Sequence, residues 1–577
     1  MLVLFSQFLF LTLLPNQTRR AIFLRVVLLP LALVLGTVAG LGSYYESSDD
    51  STLAWLFSGV LALQPVPSVP LYFHGYGHVL AGAYTALPGV SWFGWLTGGL
   101  LIWATVLTFA VLDRWLRPRL PPRRLVLALL AFFLLAWLEH VLWFSFVRVA
   151  LLLAGASVLY AAQRAGRRGA LLVGLLGVGA AWLMRPSLAL VAVGAVLPAA
   201  VLLAGGWRRA APLLGGTFLG LALAAALLYW QQTPTETRMQ VRDTYFAQIL
   251  DFDQLRPQPY TPADSLGTAA LSLWLMGDTT VVNAGLRQRA YRFDAAYFLQ
   301  REVPAKLLTR AELLVRDYFP LLLALLLSGI VVVRRGEGRG WFWLVQLGFA
   351  AGLMGLAGFY KLPARLAMPL LDFWLLTNLA FLFKASSFSQ AEPFSVPLAA
   401  VPALGVNFSL SVRERRATLM LGMLAVVLYG AKTLHRYQVL SREQYRHERA
   451  WVQLAQRTAG TTRVLAGTND LLKSLSPFRV YTPGPGLVLE LSGWQSHDPS
   501  QATLRRHLTG APGQAECLRR LAQAAPATRW LLSAETAQWL NRRFRFEAAG
   551  QPPVVTLETV EVFPADTSLH YYRPVAR

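Results

Sequence analysis

The adjacent carboxylates Asp49 and Asp50 are the residues of this chain best suited to chemistry. They stand in the polar stretch 42–52, Gly-Ser-Tyr-Tyr-Glu-Ser-Ser-Asp-Asp-Ser-Thr, directly after a long apolar segment. Charges beside lipid are costly to hold and indicate function. Desolvation raises the pKa of a carboxylate, which suits removal of a proton from a hydroxyl or an amine. The alternative is that one of them caps a helix beginning near Leu53, because Asp and Ser are preferred N-cap residues.

Two histidines follow on the next predicted element. His74 and His78 lie four residues apart on an amphipathic helix predicted from Leu71 to Leu87, so they share one face. With the carboxylates nearby they could hold a divalent ion such as Mg²⁺ or Mn²⁺. The alternative is hydrogen bonding to a substrate or to the lipid headgroups. Two candidate ligands leave the need for a metal open.

Glu139 and His140 stand together at the outer end of another apolar segment, in Ala-Trp-Leu-Glu-His-Val-Leu-Trp. We expect Glu139 at about the depth of the aspartates. It could be a second catalytic carboxylate or the partner of a buried arginine such as Arg148, and we treat both residues as candidate substrate contacts.

The arginine clusters between the apolar segments lie in short loops on one side of those segments. Three cations differ, because they lie at the opposite, outer boundary of the membrane: Arg185, Lys361 and Arg365. Cations at headgroup depth suit an anionic phosphate, to which arginine offers a fork of donors. The alternative for each is snorkelling of a long side chain to the interface. Asp372 lies deeper, inside an apolar segment, and could pair with one of these cations.

Aromatic residues crowd the same boundary. The ordinary interpretation is an aromatic belt at the membrane interface, and the alternative is stacking on a sugar ring. The residues are Tyr44, Tyr45, Trp55, Tyr72, Tyr76, Trp92 and Trp95.

Composition indicates which elements must position these residues. The 577 residues are 55% hydrophobic and 14% charged, with a mean hydropathy of +0.45, whereas a soluble chain carries about 25% charged residues. The net charge of +23 would suggest nucleic-acid binding in a soluble protein. Here the arginines sit in short loops between apolar runs, so the positive-inside rule explains them and we expect no nucleic-acid partner. The single cysteine, Cys517, excludes an internal disulfide.

The arginine clusters define a topology. All of them fall on one side of the apolar segments, which puts the N-terminus in the cytoplasm. About eleven spans are predicted, near 21–43, 90–112, 125–142, 145–163, 169–184, 187–205, 211–230, 317–333, 341–359, 364–383 and 416–432. The apolar residues 1–15 are too short to span and are interpreted as an interfacial segment or an extended start.

Three parts then lie outside the cytoplasm. They are the first loop, 44–89, a polar loop, 231–316, and the tail, 433–577. In the tail, strand-like segments at 463–466, 487–491 and 529–532 alternate with helical ones at 501–508 and 536–543, which predicts a small α/β domain. The predicted fold class is therefore an all-α polytopic membrane domain, 1–432, followed by a C-terminal α/β extracytoplasmic domain.

In layout the chain resembles the GT-C superfamily of polytopic glycosyltransferases, which take a sugar from a polyprenyl-phosphate carrier on the outer side of the membrane. Members carry an acidic residue or pair directly after the first span, followed by short interfacial helices; Asp49-Asp50 and residues 53–87 occupy those places. The Trp-Trp-Asp-Tyr-Gly motif of oligosaccharyltransferases is absent, and the pair is not the Asp-Glu of protein mannosyltransferases. The local pattern is similar to that of a bacterial subgroup: Asp-Asp, then Ser58, Gly59, Pro65, Pro88 and Trp92.

The resemblance implies an inverting glycosyltransferase of a bacterial inner membrane, with a periplasmic C-terminal domain. Its donor would be a polyprenyl-phosphate-linked sugar and its acceptor a lipid or a cell-surface glycan. Asp49 or Asp50 would be the catalytic base, and the three outer cations would face the carrier phosphate.

Two alternative functions remain open. A transporter or flippase of lipid-linked glycans would need inverted repeats and broken midplane helices, and the sequence has no corresponding pair of interrupted segments. A polymerase or ligase of such glycans usually depends on arginine and histidine in a large external loop. Here 231–316 has several arginines but no histidine.

Overall fold

The computed structural model describes residues 16–69, 75–335, 339–388, 412–523, 527–548 and 555–576. The predicted interfacial segment 1–15 and the candidate ligand His74 lie outside the described residues. The described chain is mostly helical and has a five-stranded sheet near its C-terminus. This confirms the coarse prediction from the sequence, a helical membrane protein with a small C-terminal sheet domain.

The helices before residue 389 include long apolar ones and short polar ones. In chain order they are α1 (Thr18–Gly40), α2 (Ser48–Ser58), α3 (Gly77–Ala86), α4 (Trp92–Leu116), α5 (Pro122–Leu142), α6 (Phe146–Ala162), α7 (Arg168–Met184), α8 (Pro186–Ala204), α9 (Trp207–Gln231), α10 (Pro234–Phe246), α11 (Pro262–Ser272), α12 (Ala284–Ala290), α13 (Ala295–Val333), α14 (Gly340–Phe359) and α15 (Ala364–Phe383). Two short strand pairs join distant loops: β1 (Tyr44–Tyr45) pairs in parallel with β2 (Trp143–Phe144), and β3 (Arg256–Pro257) pairs antiparallel with β4 (Tyr291–Arg292).

Within the described residues, eight helices are long and apolar enough to cross a membrane: α1, α4, α5, α8, α9, α13, α14 and α15. The apolar helices α6 and α7 are shorter, with 17 residues each. The last predicted segment, 416–432, lies inside the 46-residue helix α16 (Val412–Arg457), which continues well past the apolar stretch. The structure therefore supports a multi-pass membrane protein, and the number of about eleven spans stays a prediction.

Helix α6 forms the centre of the bundle. Every one of its residues is buried, and α4, α7, α8 and α15 pack around it. Because protein surrounds α6 on all sides, this helix need not match the thickness of a bilayer. The first residue of α6, Phe146, faces the end of the bundle on which the candidate site lies.

Beyond α16 the chain folds around one sheet. Its elements are β5 (Thr462–Ala466), β6 (Val488–Glu490), α17 (Pro499–Thr509), α18 (Gln514–Gln523), β7 (Thr528–Ser533), α19 (Ala534–Glu547), β8 (Val555–Val562) and β9 (Leu569–Ala576). The strands stand in the order β6-β5-β7-β9-β8, with β5 parallel to β6 and β7, and β9 antiparallel to β7 and β8. The predicted strands and helices of the tail are confirmed as β5, β6, β7, α17 and α19, whereas the hairpin β8–β9 was not predicted.

The loop between α9 and α13 packs onto this sheet domain. Leu266 and Ala270 of α11 belong to the same hydrophobic core as Trp530 of β7. The Trp539 indole N–H donates to the Leu266 carbonyl over 3.0 Å, and Arg543 forms a buried ion pair of 2.8 Å with Asp278. The sequence treats the loop and the tail as separate external parts, but the structure joins them around one core.

The sheet domain is docked on the end of the bundle by backbone hydrogen bonds. Tyr45 N–H donates to the Leu475 carbonyl over 2.9 Å, and Ser474 N–H donates to the Tyr45 carbonyl over 3.0 Å. The Ser91 hydroxyl donates to the Pro477 carbonyl over 2.6 Å. Gly94 lies directly beneath the same carbonyl, and a Cβ at this position would collide with it. The close approach of α4 to the tail therefore requires glycine at position 94.

We expect Gly94→Ala to lower stability by about 1–3 kcal/mol, the usual range for an overpacked contact, because the added methyl must push the backbone of Pro477 away. Gly99→Ala is the matched control, since Gly99 lies on the same helix with open space where a Cβ would stand. Thermal unfolding of both variants in detergent measures the difference. Equal melting temperatures for the two variants would contradict the docked arrangement.

Candidate functional site

A cavity of about 470 Å³ lies where the bundle, the loop after α10 and the sheet domain meet. The bundle contributes the first turn of α2, the α7–α8 junction and the start of α15, and the sheet domain contributes the turns after β5 and β6. The lining residues are Ser47, Ser48, Asp49, Thr52, Val147, Arg185, Asp251, Phe252, Trp274, Lys361, Pro363, Arg365, Leu366, Asn469, Lys473, Gly493, Trp494 and Gln495.

Asp49 is the carboxylate that faces this cavity. Its Oδ2 accepts a hydrogen bond from Arg365 Nη2 over 3.0 Å, and its Oδ1 accepts one from Trp494 Nε1 over 3.1 Å. The side chain keeps 20% of its surface exposed, so a ligand in the cavity can reach it. A carboxylate in the first turn of a helix is also stabilised by the helix dipole.

Asp50 is part of the wall. It is fully buried; its Oδ1 accepts from Phe146 N–H over 2.8 Å and its Oδ2 from the Ser47 hydroxyl over 3.0 Å. Burial raises the pKa of Asp50 to about 7, against the lowering effect of the Phe146 hydrogen bond and of Arg365. Asp50 therefore positions α2 against the start of α6.

The structure corrects the predicted capping role of the pair. Helix α2 begins at Ser48 and has Ser47 as its N-cap residue, so it starts earlier than the helix predicted near Leu53. Asp49 and Asp50 both lie in the first turn of α2, and neither is its N-cap residue. Asp50 instead satisfies an amide at the start of another helix, because Phe146 N–H is one of the N-terminal donors that α6 cannot bond internally.

The three outer cations predicted from the sequence come together around Asp49. Arg365 bonds to Asp49, Lys361 forms a 2.7 Å ion pair with Asp251, and Arg185 lies at the junction of α7 and α8. Lys473 of the sheet domain adds a fourth cation. With four cations and two carboxylates in its lining, the cavity has a net positive charge and suits an anionic ligand.

Glu139 and His140 lie elsewhere, inside the bundle. Glu139 forms ion pairs with Lys432 over 2.7 Å and with Arg436 over 2.6 Å. Glu139 thus pairs with a largely buried arginine, as one interpretation expected, but this arginine is Arg436 and not Arg148, which bonds to Glu46 over 2.7 Å. Glu139 and His140 are both buried, and neither lines the cavity.

Asp372 pairs with His140 and not with one of the outer cations. Its Oδ2 lies 2.6 Å from His140 Nε2, with both side chains fully buried, so it does not pair with the outer cations. His140 Nδ1 lies 3.3 Å from Arg148 Nη1. Glu46, Arg148, His140 and Asp372 thus form one connected polar chain from the first loop into α15.

His78 does not reach the cavity. It lies exposed in the first turn of α3 and is absent from the lining. In the part of the chain that the structure describes, no group of three or more His, Cys, Asp or Glu side chains is arranged to hold a metal ion. Among the described residues His78 has no partners for a metal site, and the predicted site with His74 stays a prediction.

The boundary aromatics that the structure describes do not line the cavity either, and Tyr72 lies outside the described residues. Tyr44, Tyr45 and Trp55 are buried, and Trp55 packs edge-on against Trp451 with ring centroids 4.8 Å apart. The tryptophans that do line the cavity are Trp274 and Trp494, which sequence reasoning missed. A signal for Trp494 existed, because Trp494 lies three residues after the predicted strand 487–491, in a turn, and turns commonly present side chains to a site.

Glu490 ties together the two turns that the sheet domain sends into the cavity. Its carboxylate accepts from the Thr468 hydroxyl over 2.7 Å and from the Ser492 hydroxyl over 2.6 Å. Thr468 precedes Asn469 and Lys473, and Ser492 precedes Gly493, Trp494 and Gln495. Glu490 is buried, and burial raises its pKa to about 7.

A comparison with protein-family models finds no matching family, and no curated protein matches this sequence.

We expect Glu490→Gln to make stability less dependent on pH. The carboxyl has a pKa near 4.5 when unperturbed and about 7 in the folded protein. Between these values only the folded state holds the proton, so raising the pH destabilises the wild type. The melting temperature of the variant minus that of the wild type should therefore increase from pH 4.5 to about 7. Above that pH the difference should stay constant.

Glu535→Gln provides the control, because Glu535 is an exposed carboxylate of the same domain. Its difference from the wild type should not grow over the same range. A Glu490→Gln difference that shrinks with rising pH would show that the buried carboxyl holds its charge when folded.

Proposed function

We propose that this protein is a membrane glycosyltransferase of the GT-C type, which transfers a sugar from a polyprenyl-phosphate donor to a lipid or glycan acceptor. The observation that carries the proposal is the position of Asp49, a reachable carboxylate inside a cavity that four cations and only one other carboxylate, Asp251, also line. A base beside an anion-binding surface is what transfer from a phosphate leaving group requires.

In the proposed reaction the acceptor hydroxyl gives its proton to the Asp49 carboxylate. The oxygen of the acceptor hydroxyl forms a bond to the anomeric carbon of the sugar while the bond from that carbon to the carrier phosphate breaks. The configuration at the anomeric carbon therefore inverts. The electron pair leaves with the phosphate, whose charge Arg185 and Lys361 would stabilise. Arg365 holds Asp49 in place through its 3.0 Å hydrogen bond.

Apolar grooves along α14 support a donor with a lipid tail. One groove of about 430 Å³ runs between α8 and α14, and another of about 800 Å³ continues along α14 to Phe359 and Tyr360. The two grooves share Gly352 and Leu356, and the second ends beside Lys361 of the charged cavity. A phosphate in the cavity could therefore carry an isoprenoid chain along this helix, over an open surface formed by Gly348, Gly352 and Gly355.

We infer that the cavity opens away from the cytoplasm of a bacterial inner membrane. Basic residues cluster at the helix ends far from the cavity, such as Arg117 after α4, Arg167 before α7 and Arg208 at the start of α9. Helix α8 runs from Arg185 in the cavity toward Arg208, which separates the two by roughly 30 Å along the helix axis. By the positive-inside rule the Arg208 end is cytoplasmic.

Asp49→Asn should reduce transfer by at least about 100-fold, the lower range for loss of a general base. Asp50→Asn should cost less, because an amide oxygen can still accept from Phe146 N–H. Glu535→Gln is the control, an exposed carboxylate of the sheet domain that does not line the cavity. The measurement is sugar transfer from a panel of polyprenyl-phosphate sugars, together with surface glycan in the native host.

Folded Asp49→Asn protein with undiminished transfer would remove Asp49 from the mechanism. A larger loss for Asp50→Asn than for Asp49→Asn, at equal amounts of folded protein, would show that the base had been assigned to the wrong carboxylate.

The orientation can be tested with single cysteines in a Cys517→Ala background. A cysteine at Asp470, whose side chain is 73% exposed near the cavity, should react with a membrane-impermeant maleimide in spheroplasts. A cysteine at Arg208, exposed at the opposite end, should react only after the membrane is permeabilised. The reverse pattern would turn the cavity toward the cytoplasm and contradict the use of a donor on the outer face.

A further inference from the structure

A smaller cavity opens beside the charged one. It has a volume of about 100 Å³ and shares Arg185, Asp251, Trp274 and Trp494 with the larger cavity. We call it the annex; its remaining lining residues are Asp243, Phe246, Ala247, Leu250, Met276 and His497. A site for one water needs about 10–15 Å³, so the annex has room for several waters or for part of one small polar ring.

The annex differs from the main cavity in charge. Its lining holds one cation, Arg185, and two carboxylates, Asp243 and Asp251, whereas the main cavity holds four cations and two carboxylates. A phosphate is therefore drawn more strongly to the main cavity than to the annex, where Arg242 lies 3.6 Å from Asp243 and offsets part of its charge. A neutral ligand with hydroxyl groups suits the annex, because carboxylates are strong acceptors for O–H donors.

Asp243 and His497 form a buried pair in the annex. His497 Nε2 lies 2.8 Å from Asp243 Oδ1, and the two side chains are 3% and 5% exposed. Burial lowers the pKa of His497, so the ring is neutral, and its Nε2–H donates to the carboxylate. Nδ1 is then left as a hydrogen-bond acceptor.

That Nδ1 atom has no hydrogen-bond partner among the described residues, although it is buried. A buried polar atom left without a partner costs about 1–3 kcal/mol. Because the missing partner of an acceptor is a donor, the residue is suited to a ligand that brings an O–H or N–H group.

Two tryptophans border the annex and connect it to Asp49. Trp274 has a φ of +59°, a left-handed conformation that a bulky residue adopts only when its surroundings enforce it. Its carbonyl accepts from Gly493 N–H over 2.9 Å, which ties it to the turn carrying Trp494. Trp494 in turn donates to Asp49. Indole faces suit the C–H face of a sugar ring, while the polar groups opposite suit its hydroxyls.

We propose that the annex is a carbohydrate subsite, in which Asp243 and His497 recognise the hydroxyl groups of a sugar ring held against Trp274 and Trp494. The proposal rests on the proposed glycosyl transfer for its biological meaning, and on the annex residues alone for binding. It makes His497 a specificity-determining residue of the C-terminal domain, adjacent to the phosphate site and to Asp49.

The test is saturation-transfer NMR on the purified full-length protein, in a detergent that carries no sugar. The probes are methyl glycosides of a hexose, a 6-deoxyhexose, a pentose and an N-acetylhexosamine. At least one should receive saturation from the wild type. Its binding should fall at least about tenfold in His497→Ala and Asp243→Asn, consistent with loss of one buried hydrogen bond, and stay unchanged in His507→Ala, an exposed histidine of the same domain.

If His497→Ala lowers the melting temperature, the test uses His497→Gln and Trp274→Phe instead. Both variants preserve most of the cavity's shape. The proposal is overturned if folded wild type transfers saturation to none of the glycosides. It is also overturned if binding is equal in the wild type and in every folded annex variant.

Asp49→Asn separates the subsite from the proposed reaction, because this variant should retain glycoside binding. If binding persists and no transfer from lipid-linked donors is found, the subsite stands and the proposed function fails. If the annex variants transfer sugar as fast as the wild type does, the proposed function stands and the subsite fails.

Discussion

The hydrogen bond from Phe146 N–H to the buried carboxylate of Asp50 is the contact on which the site depends. It joins the first turn of α2 to the first residue of α6, the central helix of the bundle. Successive residues of a helix project about 100° apart, so fixing Asp50 inward turns Asp49 toward the cavity. A rotation of α2 would leave a buried amide and a buried carboxylate unpaired, at a cost of about 1–3 kcal/mol or more for each group.

Buried charges hold the other side of the site. The chain Glu46–Arg148–His140–Asp372 runs from the first loop to α15, and Arg365 lies in the first turn of that helix. Asp49 and Arg365 are thus kept together directly and also through the interior of the bundle. Glu139 ties α5 to α16 by its ion pairs with Lys432 and Arg436. Such pairs are costly to break, because removing one partner leaves a buried charge uncompensated.

The division between the charged cavity and the annex gives the site two chemical environments that meet at shared residues. Arg185 and Trp494 line both, and Trp494 bonds to the carboxylate proposed as the base. A phosphate on one side and a sugar on the other would put the bond between them near Asp49. The loop after α9 and the C-terminal tail supply most of the annex, and their shared hydrophobic core holds the two parts together there.

The sequence by itself determined the apolar helices, the sheet domain of the tail and the set of charged residues at the helix ends, because each leaves a local pattern of hydropathy or residue type. It also singled out Asp49, Arg185, Lys361 and Arg365, since charged groups at a membrane boundary stand out against apolar neighbours. It could not separate Asp49 from Asp50, pair Glu139 or His140, or find Trp494 and His497. Those outcomes depend on contacts between residues far apart in the chain; Asp49 and Trp494 are 445 positions apart. Only the packing of helix against helix and of the tail on the bundle decides which of two adjacent carboxylates is buried and which faces the cavity.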